Sequence, residues 1–163
     1  MQIVAAARRP LDQQIQTKMQ VELLELSTAP ARWQAALRSV ECVIHLAGWA
    51  HKRADVAALN TVNVQGSRFV AELAAAAGTR RFIFLSSVKV NGEGEYGVRY
   101  RADDAPMPED AYGSSKLAAE NEVREVCDRN GVECVIVRPP LVYGPGVKAN
   151  FRRLMQVIDR GVP

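Results

Sequence analysis

Short apolar runs alternate along this chain with stretches of helical periodicity, and this alternation restricts the fold more than any other feature of the sequence. Runs rich in Val, Ile and Leu are typical of strands buried on both faces, and they span residues 3–7, 21–26, 41–46, 81–85 and 132–137. Between them, apolar residues at spacings of three and four predict helices over 30–40, 61–77, 113–130 and 148–158. This order predicts an α/β fold, a doubly wound parallel sheet with helices on both faces.

The composition is that of one globular domain. With 163 residues, of which 48% are hydrophobic and 24% charged, the chain has the length and the apolar content of a packed core. The net charge is only +3 and the paired arginines are scattered, so no nucleic-acid partner is expected. No apolar run reaches the roughly 18 residues of a membrane span. The N-terminus does not resemble a signal peptide. These two observations together predict a cytoplasmic protein without a membrane partner.

The cysteines and histidines do not form a recognisable metal site. Cys42, Cys127 and Cys134 lie far apart in apolar contexts, and an odd number does not suit a disulfide framework. His45 and His51 have no zinc-ligand spacing from them. We therefore expect buried thiols and predict no metal.

A long polar segment over 90–112 interrupts the alternation and is too long for a passive connection in a compact domain. It contains Gly92-Glu-Gly94-Glu-Tyr-Gly97, which matches the G-x-G-x-x-G string of dinucleotide-binding turns. That turn works only when a helix begins at its third glycine, and the charged, proline-containing residues 98–106 do not favour a helix. We interpret the string as a polar loop.

Tyr112 and Lys116 have the spacing of two residues on one face of a helix. A free tyrosine has a pKa of about 10, and a neighbouring cation favours its phenolate, so the pair could exchange a proton with a substrate hydroxyl. The same spacing also occurs in helices without a catalytic role. Here the preceding strand ends in Ser86 and Ser87, at the edge where open α/β sheets bind ligands, and this context favours a site.

Five motifs follow one another in a fixed order over most of the chain. They are His-Leu-Ala-Gly at 45–48, Asn-Thr-Val-Asn-Val-Gln-Gly at 60–66, Phe-Leu-Ser-Ser-Val-Lys-Val-Asn-Gly at 84–92, Tyr-x-x-x-Lys at 112–116 and Arg-Pro-Pro-Leu-Val-Tyr-Gly-Pro-Gly at 138–146. In this order they resemble the extended short-chain dehydrogenase/reductases. Within these, the chain is similar to the NAD-dependent epimerase/dehydratase family, close to its UDP-glucose and UDP-N-acetylglucosamine 4-epimerases.

The resemblance implies roles for individual residues. Catalysis would use Tyr112 as acid/base, Lys116 to bind the nicotinamide ribose and lower the tyrosine pKa, and Ser87 to hydrogen-bond the sugar hydroxyl. The implied cofactor contacts are Arg8, Glu25, Leu46, Ala47, Gly48, Asn63, Ser86, Tyr112, Lys116, Pro139 and Val142. The implied substrate contacts are Ser87, Lys89, Tyr112 and Asn150.

The cofactor is predicted as NAD or NADP. If 3–7 is the family's second strand, Arg8 and Arg9 follow it where an acidic residue typically selects NAD, and arginines there could bind a 2′-phosphate. The alternative is that both arginines are solvated. Glu25, after the next strand, resembles the family's acidic contact to adenine.

The implied reaction moves a hydride from sugar C4 to nicotinamide while Tyr112 takes the hydroxyl proton. An epimerase returns the hydride to the other face of the sugar, whereas a 4-keto-sugar-nucleotide reductase uses only the second half. Dehydration is disfavoured because Val88 and Lys89 follow Ser87 in place of the dehydratases' acidic pair. The expected partner is a UDP-sugar, and a homodimer is left open.

The resemblance also implies missing parts. The chain is expected to begin at the family's second strand, without the first strand and its glycine-rich loop, and to end before the substrate domain. Residues 1–163 would then be a partial NAD(P)-binding domain. A truncated remnant of this fold without catalytic activity is the third hypothesis, beside the epimerase and the reductase.

Overall fold

The computed structural model describes residues 4–7, 20–50, 55–94, 97, 99–144 and 149–160. Its strands are β1 (Val4–Ala7), β2 (Gln20–Leu23), β3 (Cys42–His45), β4 (Arg81–Leu85) and β5 (Glu133–Val137). The helices are α1 (Pro30–Leu37), α2 (Val56–Leu59), α3 (Gly66–Ala76), α4 (Ala111–Asn130) and α5 (Ala149–Asp159), with a π-helix at Asn60–Gln65 and a 3₁₀ turn at Val88–Val90. The alternation of strands and helices is as the sequence predicts.

All strand pairs in the described residues are parallel, as predicted. β1 pairs with β2, and β4 lies between β3 and β5. The register aligns His45 with Phe84 and Phe84 with Ile136, so that β3, β4 and β5 end at one edge. The described strands thus form two sheets, where the sequence predicted one.

One face of the three-stranded sheet forms the core. Phe82 and Phe84 are fully buried there, and the same cluster includes Trp33 from α1, Val70 from α3 and Val123 from α4. The prediction of buried runs on both faces is wrong for part of the other face, because Ile44 of β3 is 60% exposed. Alternate residues of a strand point to opposite faces, so the same strand can have buried residues on one face of the sheet and exposed residues on the other.

The helix predicted over 61–77 is divided. The π-helix separates α2 from α3 and buries Asn63 completely. π-helices are rare and occur mostly as single turns at functional sites. The first residue of α3, Gly66, packs so closely on Leu26 that a Cβ would lie 2.8 Å from its Cδ1 atom.

Two boundaries differ from the sequence prediction for local reasons. β2 ends at Leu23 because Glu25 and Thr28 form a turn, in which the Glu25 N–H donates to Thr28 Oγ1 (2.8 Å). α4 begins at Ala111, because Asp110 caps it by accepting a hydrogen bond from the Gly113 N–H (2.6 Å). It ends at Asn130, and Gly131 caps it with a φ of 65°, which glycine readily adopts.

The segment before α4 is the predicted loop. No helix or strand occurs among its described residues between Asn91 and Asp110, and Gly92 and Gly94 have positive φ. The described residues of the glycine string, 92–94 and 97, lie outside helices and strands, as the loop interpretation predicts. Within the described ranges, no helix is both long and apolar enough to cross a membrane, and no three potential metal-ligating side chains come together.

Candidate active site

Two adjacent serines lie where β4 ends at the carboxyl edge of the sheet. The backbone continues the parallel pairing beyond the strand, because the Ser86 N–H donates to Val137 O (2.7 Å) and the Val88 N–H to Pro139 O (3.0 Å). Ser87 is extended, with φ −155° and ψ 147°. Neighbouring side chains in extended backbone point to opposite sides, so the two hydroxyls face different surroundings.

The Ser86 hydroxyl faces inward, to a carboxylate. It donates to Glu120 Oε1 (2.5 Å), and Glu120 is completely buried. Arg138 donates to both oxygens of that carboxylate (2.8 and 2.6 Å), and Arg124 adds a third guanidinium bond (2.9 Å). Burial raises the pKa of Glu120, but the hydrogen bonds from Arg138 and Ser86 outweigh it and hold this pKa below its ordinary value. A cofactor contact by Ser86 stays a prediction.

The Ser87 hydroxyl accepts a hydrogen bond from the Lys89 N–H (3.3 Å) and also interacts with the phenol of Tyr112. Burial raises the pKa of Tyr112 above its ordinary value, and the hydrogen bond with the Ser87 side chain partly offsets this. Two charges also act on the phenol, since Asp110 raises its pKa and Lys89 lowers it. The structure therefore brings the predicted catalytic Ser87 and Tyr112 together.

Lys116 is buried one helical turn from Tyr112. Its ammonium donates to Leu85 O (2.7 Å) and lies 4.1 Å from the centroid of the Phe84 ring. Burial lowers its pKa to about 8, against a raising effect of Glu120. A lowering of the Tyr112 pKa by Lys116 stays a prediction. The pKa is lowered by the cation of Lys89.

Asn63 joins the end of β3 to the start of α4. Its Oδ1 accepts from the Trp49 N–H (2.7 Å), and its Nδ2 donates to Trp49 O and to Ser115 Oγ (both 3.0 Å). Gly48 lies in the angle between these elements: a Cβ there would be 3.3 Å from Asn63 Oδ1 and 3.7 Å from Lys116 Nζ. Gly48, Asn63 and Lys116, all predicted cofactor contacts, are therefore brought together.

His45 is buried below this junction. Its Nε2 lies 3.1 Å from Ser67 Oγ, and the Ser67 hydroxyl donates to Asn63 O (2.5 Å). Because the hydroxyl proton is used on Asn63, Nε2 carries the imidazole proton. Burial, with a smaller effect of Lys116, lowers the His45 pKa to about 4, so the ring is neutral.

Lys89 and Asp110 form an ion pair beside Tyr112. Lys89 Nζ lies 2.8 Å from Asp110 Oδ2 and also contacts Glu93. Burial raises the pKa of Asp110, but the Gly113 N–H and Lys89 outweigh it and keep this pKa below its ordinary value. Asp110 is not among the residues predicted from the sequence, although an Asp just before a predicted helix is a capping signal. The bonds of Glu120 to Arg138, 18 residues away, are not predicted either, because no local signal exists for them.

The other predicted contacts are spread more widely. Leu46, Ala47 and Gly48 are exposed after β3, Pro139 is half-buried and Val142 is 70% exposed. Glu25 is exposed in the turn after β2. Arg8 lies outside the described residues, and for Asn150 only its place in α5 is described.

A dinucleotide fits part of this edge. The angle between Gly48, Asn63 and Lys116 would be filled by a Cβ, so it admits close approach to backbone, and the buried ammonium suits a ribose hydroxyl. For the pyrophosphate, the sequence offers no glycine-rich turn between β1 and β3, because it has no glycine before Gly48. The residues present therefore suit the nicotinamide-ribose side.

Two curated proteins illustrate what this chain is similar to. The UDP-glucose 4-epimerase of Vibrio cholerae is 41% identical over 141 residues, which are 83% of this chain and 43% of that protein. An undecaprenol-diphosphate-linked N-acetylglucosamine 4-epimerase of Escherichia coli is 34% identical over 134 residues, covering 77% of this chain and 38% of that one. The chain thus spans less than half the length of these relatives.

Solved structures share the fold. MoeE5 in complex with UDP-glucose and NAD superposes with a TM-score of 0.80 at 29% identity, over 98% of this chain and 54% of that chain. The profile of the NAD dependent epimerase/dehydratase family matches residues 1–161. The predicted Rossmann-like fold class is confirmed, and the chain belongs to the NAD-dependent epimerase/dehydratase family.

Proposed function

We propose that this chain carries the acid–base machinery of a nucleotide-sugar 4-epimerase, with Ser87, Tyr112 and Lys116 as its catalytic residues. The observation that carries the proposal is the interaction of the Ser87 hydroxyl with the Tyr112 phenol at the carboxyl edge of the sheet, one helical turn from a buried lysine. Adjacent hydroxyls of this kind can hold one substrate oxygen between them.

The protein groups have separate tasks in this reaction. Tyr112 accepts the proton of the sugar O4 hydroxyl and returns it, while Ser87 hydrogen-bonds the same oxygen and orients it. Lys116 holds a ribose hydroxyl of the cofactor, and Gly48 and Asn63 form the wall beside it. When bound, NAD supplies the hydride acceptor and donor.

The substrate we propose is a UDP-sugar and the cofactor NAD, because these are the ligands of the similar solved complex. Lys89 lies beside Tyr112 with its side chain one-third exposed, and is proposed as a substrate contact, as Asn150 is. NADP selection through Arg8 stays a prediction.

The test is an assay of the complete gene product that carries this sequence. UDP-glucose and NAD are supplied, and UDP-galactose is measured by chromatography. Tyr112→Phe should lower kcat roughly 10²- to 10⁴-fold, the range for loss of a general acid–base group. NAD binding, measured by calorimetry, should be retained in the variant because the phenyl ring still fills the site.

Three other outcomes would contradict the proposal. Near-normal turnover in Tyr112→Phe would remove the tyrosine from catalysis. Net consumption of NADH with a 4-keto sugar nucleotide, and no epimer from UDP-glucose, would indicate the reductase. Absence of both activities, in a protein that binds neither UDP-glucose nor NAD, would indicate the non-catalytic remnant.

A further inference from the structure

The 3₁₀ turn at Val88–Val90 follows β4 and is anchored at both of its ends. At its start, the Val88 N–H donates to Pro139 O (3.0 Å). At its end, Asn91 Oδ1 accepts a hydrogen bond from Arg138 Nη1 (3.3 Å). Because Arg138 and Pro139 are consecutive residues, both anchors lie just beyond the end of β5.

This turn also determines where the Ser87 hydroxyl lies. Two backbone hydrogen bonds close the turn, from the Val90 N–H to Ser87 O (3.1 Å) and from the Asn91 N–H to Val88 O (2.8 Å). A further bond runs from the Lys89 N–H to the hydroxyl oxygen of Ser87 (3.3 Å). The position of the hydroxyl therefore follows the position of the turn.

Arg138 is a fixed anchor for the Asn91 side chain. Its side chain is only 14% exposed, and its Nε and Nη2 donate to the two oxygens of Glu120 (2.8 and 2.6 Å). Glu120 is completely buried and belongs to α4, the helix that carries Tyr112. A guanidinium held by two parallel bonds has a defined orientation. Its third nitrogen, on Asn91, therefore connects the Ser87 turn to the helix of Tyr112.

The side chain of Asn91 is buried with one of its two polar atoms unpaired. The residue is only 7% exposed, and its Nδ2 has no hydrogen-bond partner in the described part of the chain. A buried donor without an acceptor costs free energy, and few remain so in folded proteins. An apolar side chain of similar size would avoid that cost, but it could not accept from the arginine. Such departures from optimal packing are expected at functional sites.

We propose that Asn91 is a positioning residue of the 4-epimerase reaction, which holds the Ser87 hydroxyl in place through its bond with Arg138. The inference rests on the proposed function, because Ser87 is assigned there to hydrogen-bond the sugar O4. Without this bond the far end of the turn loses its anchor on β5, and the hydroxyl moves relative to the phenol of Tyr112. A misplacement of about 1 Å can lower a rate roughly 10²-fold.

The test is Asn91→Leu in the complete gene product, assayed with UDP-glucose and NAD. The Val88 anchor and the ion pair of Lys89 with Asp110 remain, so kcat should fall only in part, by roughly tenfold. KM should change less than about twofold, because Asn91 acts through the turn and not on the substrate. The melting temperature should change by less than about 4 °C, because the unpaired amide is removed together with the bond. Asn91→Ala, which loses the same contact without added bulk, should lower kcat equally.

Three further variants separate positioning from a general effect on the fold. Asn91→Asp keeps an oxygen acceptor for Arg138 and should retain kcat within about threefold. Asn121→Leu is the matched control, because exposed Asn121 also accepts from an arginine, Arg124 (3.4 Å), and it should change kcat less than about twofold. In a Ser87→Ala background, Asn91→Leu should lower kcat less than about twofold further, because the hydroxyl that it positions is absent.

A second readout uses this chain and needs no turnover. The hydrogen bond of Ser87 and the charge of Lys89 both lower the pKa of Tyr112, whereas Asp110 raises it from the start of α4. Displacement of the turn weakens the two lowering effects, so the pKa should rise in Asn91→Leu. It should not move in the matched control. NMR titration of tyrosine labelled with ¹³C at Cζ measures both.

The proposal is overturned by an unchanged kcat in Asn91→Leu, by equal losses of kcat in Asn91→Leu and Asn91→Asp, or by losses that add in the Ser87→Ala background. An unshifted pKa of Tyr112 in Asn91→Leu overturns it as well. If the wild-type protein does not epimerise UDP-glucose, the proposed function fails, and the NMR titration still decides whether Asn91 holds the turn.

Discussion

Ser86 and Ser87 are neighbours in sequence, yet they belong to two different regions of the molecule. Ser86 is 4% exposed and donates to a carboxylate that two arginines also bind. Ser87 is part-exposed and faces a tyrosine whose pKa is raised. We call the first region the scaffold side (Ser86, Glu120, Arg138, His45, Asn63) and the second the reactive side (Ser87, Tyr112, Lys89, Asp110).

The two sides differ in how far their polar groups are hydrogen-bonded within the protein. On the scaffold side each carboxylate or amide group has its partners, which fixes the positions of α4, β4 and β5. On the reactive side the Ser87 hydroxyl accepts from the Lys89 N–H and interacts with the Tyr112 phenol, and both side chains remain partly accessible to a ligand. In the proposed reaction, the groups of the reactive side exchange protons with the substrate, while the groups of the scaffold side keep their bonds and hold the elements in place.

The largest effect should come from removing the centre of the scaffold side. Glu120→Ala leaves Arg138, whose side chain is only 14% exposed, without its carboxylate, and breaking a buried ion pair costs about 3–5 kcal/mol. For a chain of this size the melting temperature should fall by roughly 10 °C. The control is Glu122→Ala on the same helix, which loses only a surface pair with Arg68 and should cost about 1 kcal/mol or less. An equal fall of the melting temperature in Glu120→Ala and Glu122→Ala would contradict the distinction between the buried and the surface ion pair.

Acid should weaken the scaffold side through His45. Its folded pKa of about 4 is below its unfolded value of 6.5, so the unfolded chain binds the additional proton. Stability should fall as the pH drops from about 6.5 to about 4, by about 3 kcal/mol in total. Urea unfolding between pH 7 and 4.5 measures this, and His45→Gln should flatten the profile. An unchanged slope in that variant would assign the effect to other groups.

Changing each of the two serines to alanine should affect different properties, kcat for Ser87 and the free energy of unfolding for Ser86. Ser87→Ala should lower kcat of the complete gene product roughly 10- to 100-fold, with the free energy of unfolding changed by less than about 0.5 kcal/mol. Ser86→Ala should lower that free energy by about 1.5–3 kcal/mol, because it removes a buried hydrogen bond to a charged group. Ser114→Ala, on the exposed side of α4, serves as control for both. A larger loss of kcat in Ser86→Ala than in Ser87→Ala would contradict the assignment of Ser87 to catalysis and of Ser86 to the scaffold.

The smallest effects concern the two charges beside Tyr112. Lys89→Met should raise the pKa of the phenol further, since the cation stabilises the phenolate. Asp110→Asn should lower it, and Asn retains the helix cap. The pKa is read from NMR titration of tyrosine labelled with ¹³C at Cζ. Shifts of the same sign in both variants would contradict the electrostatic interpretation.

Much of the fold could be predicted from local patterns. Apolar runs and spacings of three and four identified the strand and helix segments, because each pattern reflects which face of one element is buried. Burial of both faces was predicted wrongly at Ile44, because exposure depends on which elements pack against a strand. The π-helix at Asn60–Gln65 was missed for a similar reason, as its sequence continues a helical pattern.

By itself the sequence determined the class of fold, the family and the candidate residues Ser87, Tyr112 and Lys116, since these depend on the order of residues. Only the tertiary structure decided which cation acts on Tyr112 and what Ser86 contacts. Those outcomes depend on distances between atoms many residues apart, such as Ser86 Oγ and Glu120 Oε1 at 2.5 Å. Electrostatic effects fall off with distance and grow with burial, and the spacing of residues along the sequence gives neither the distance nor the burial.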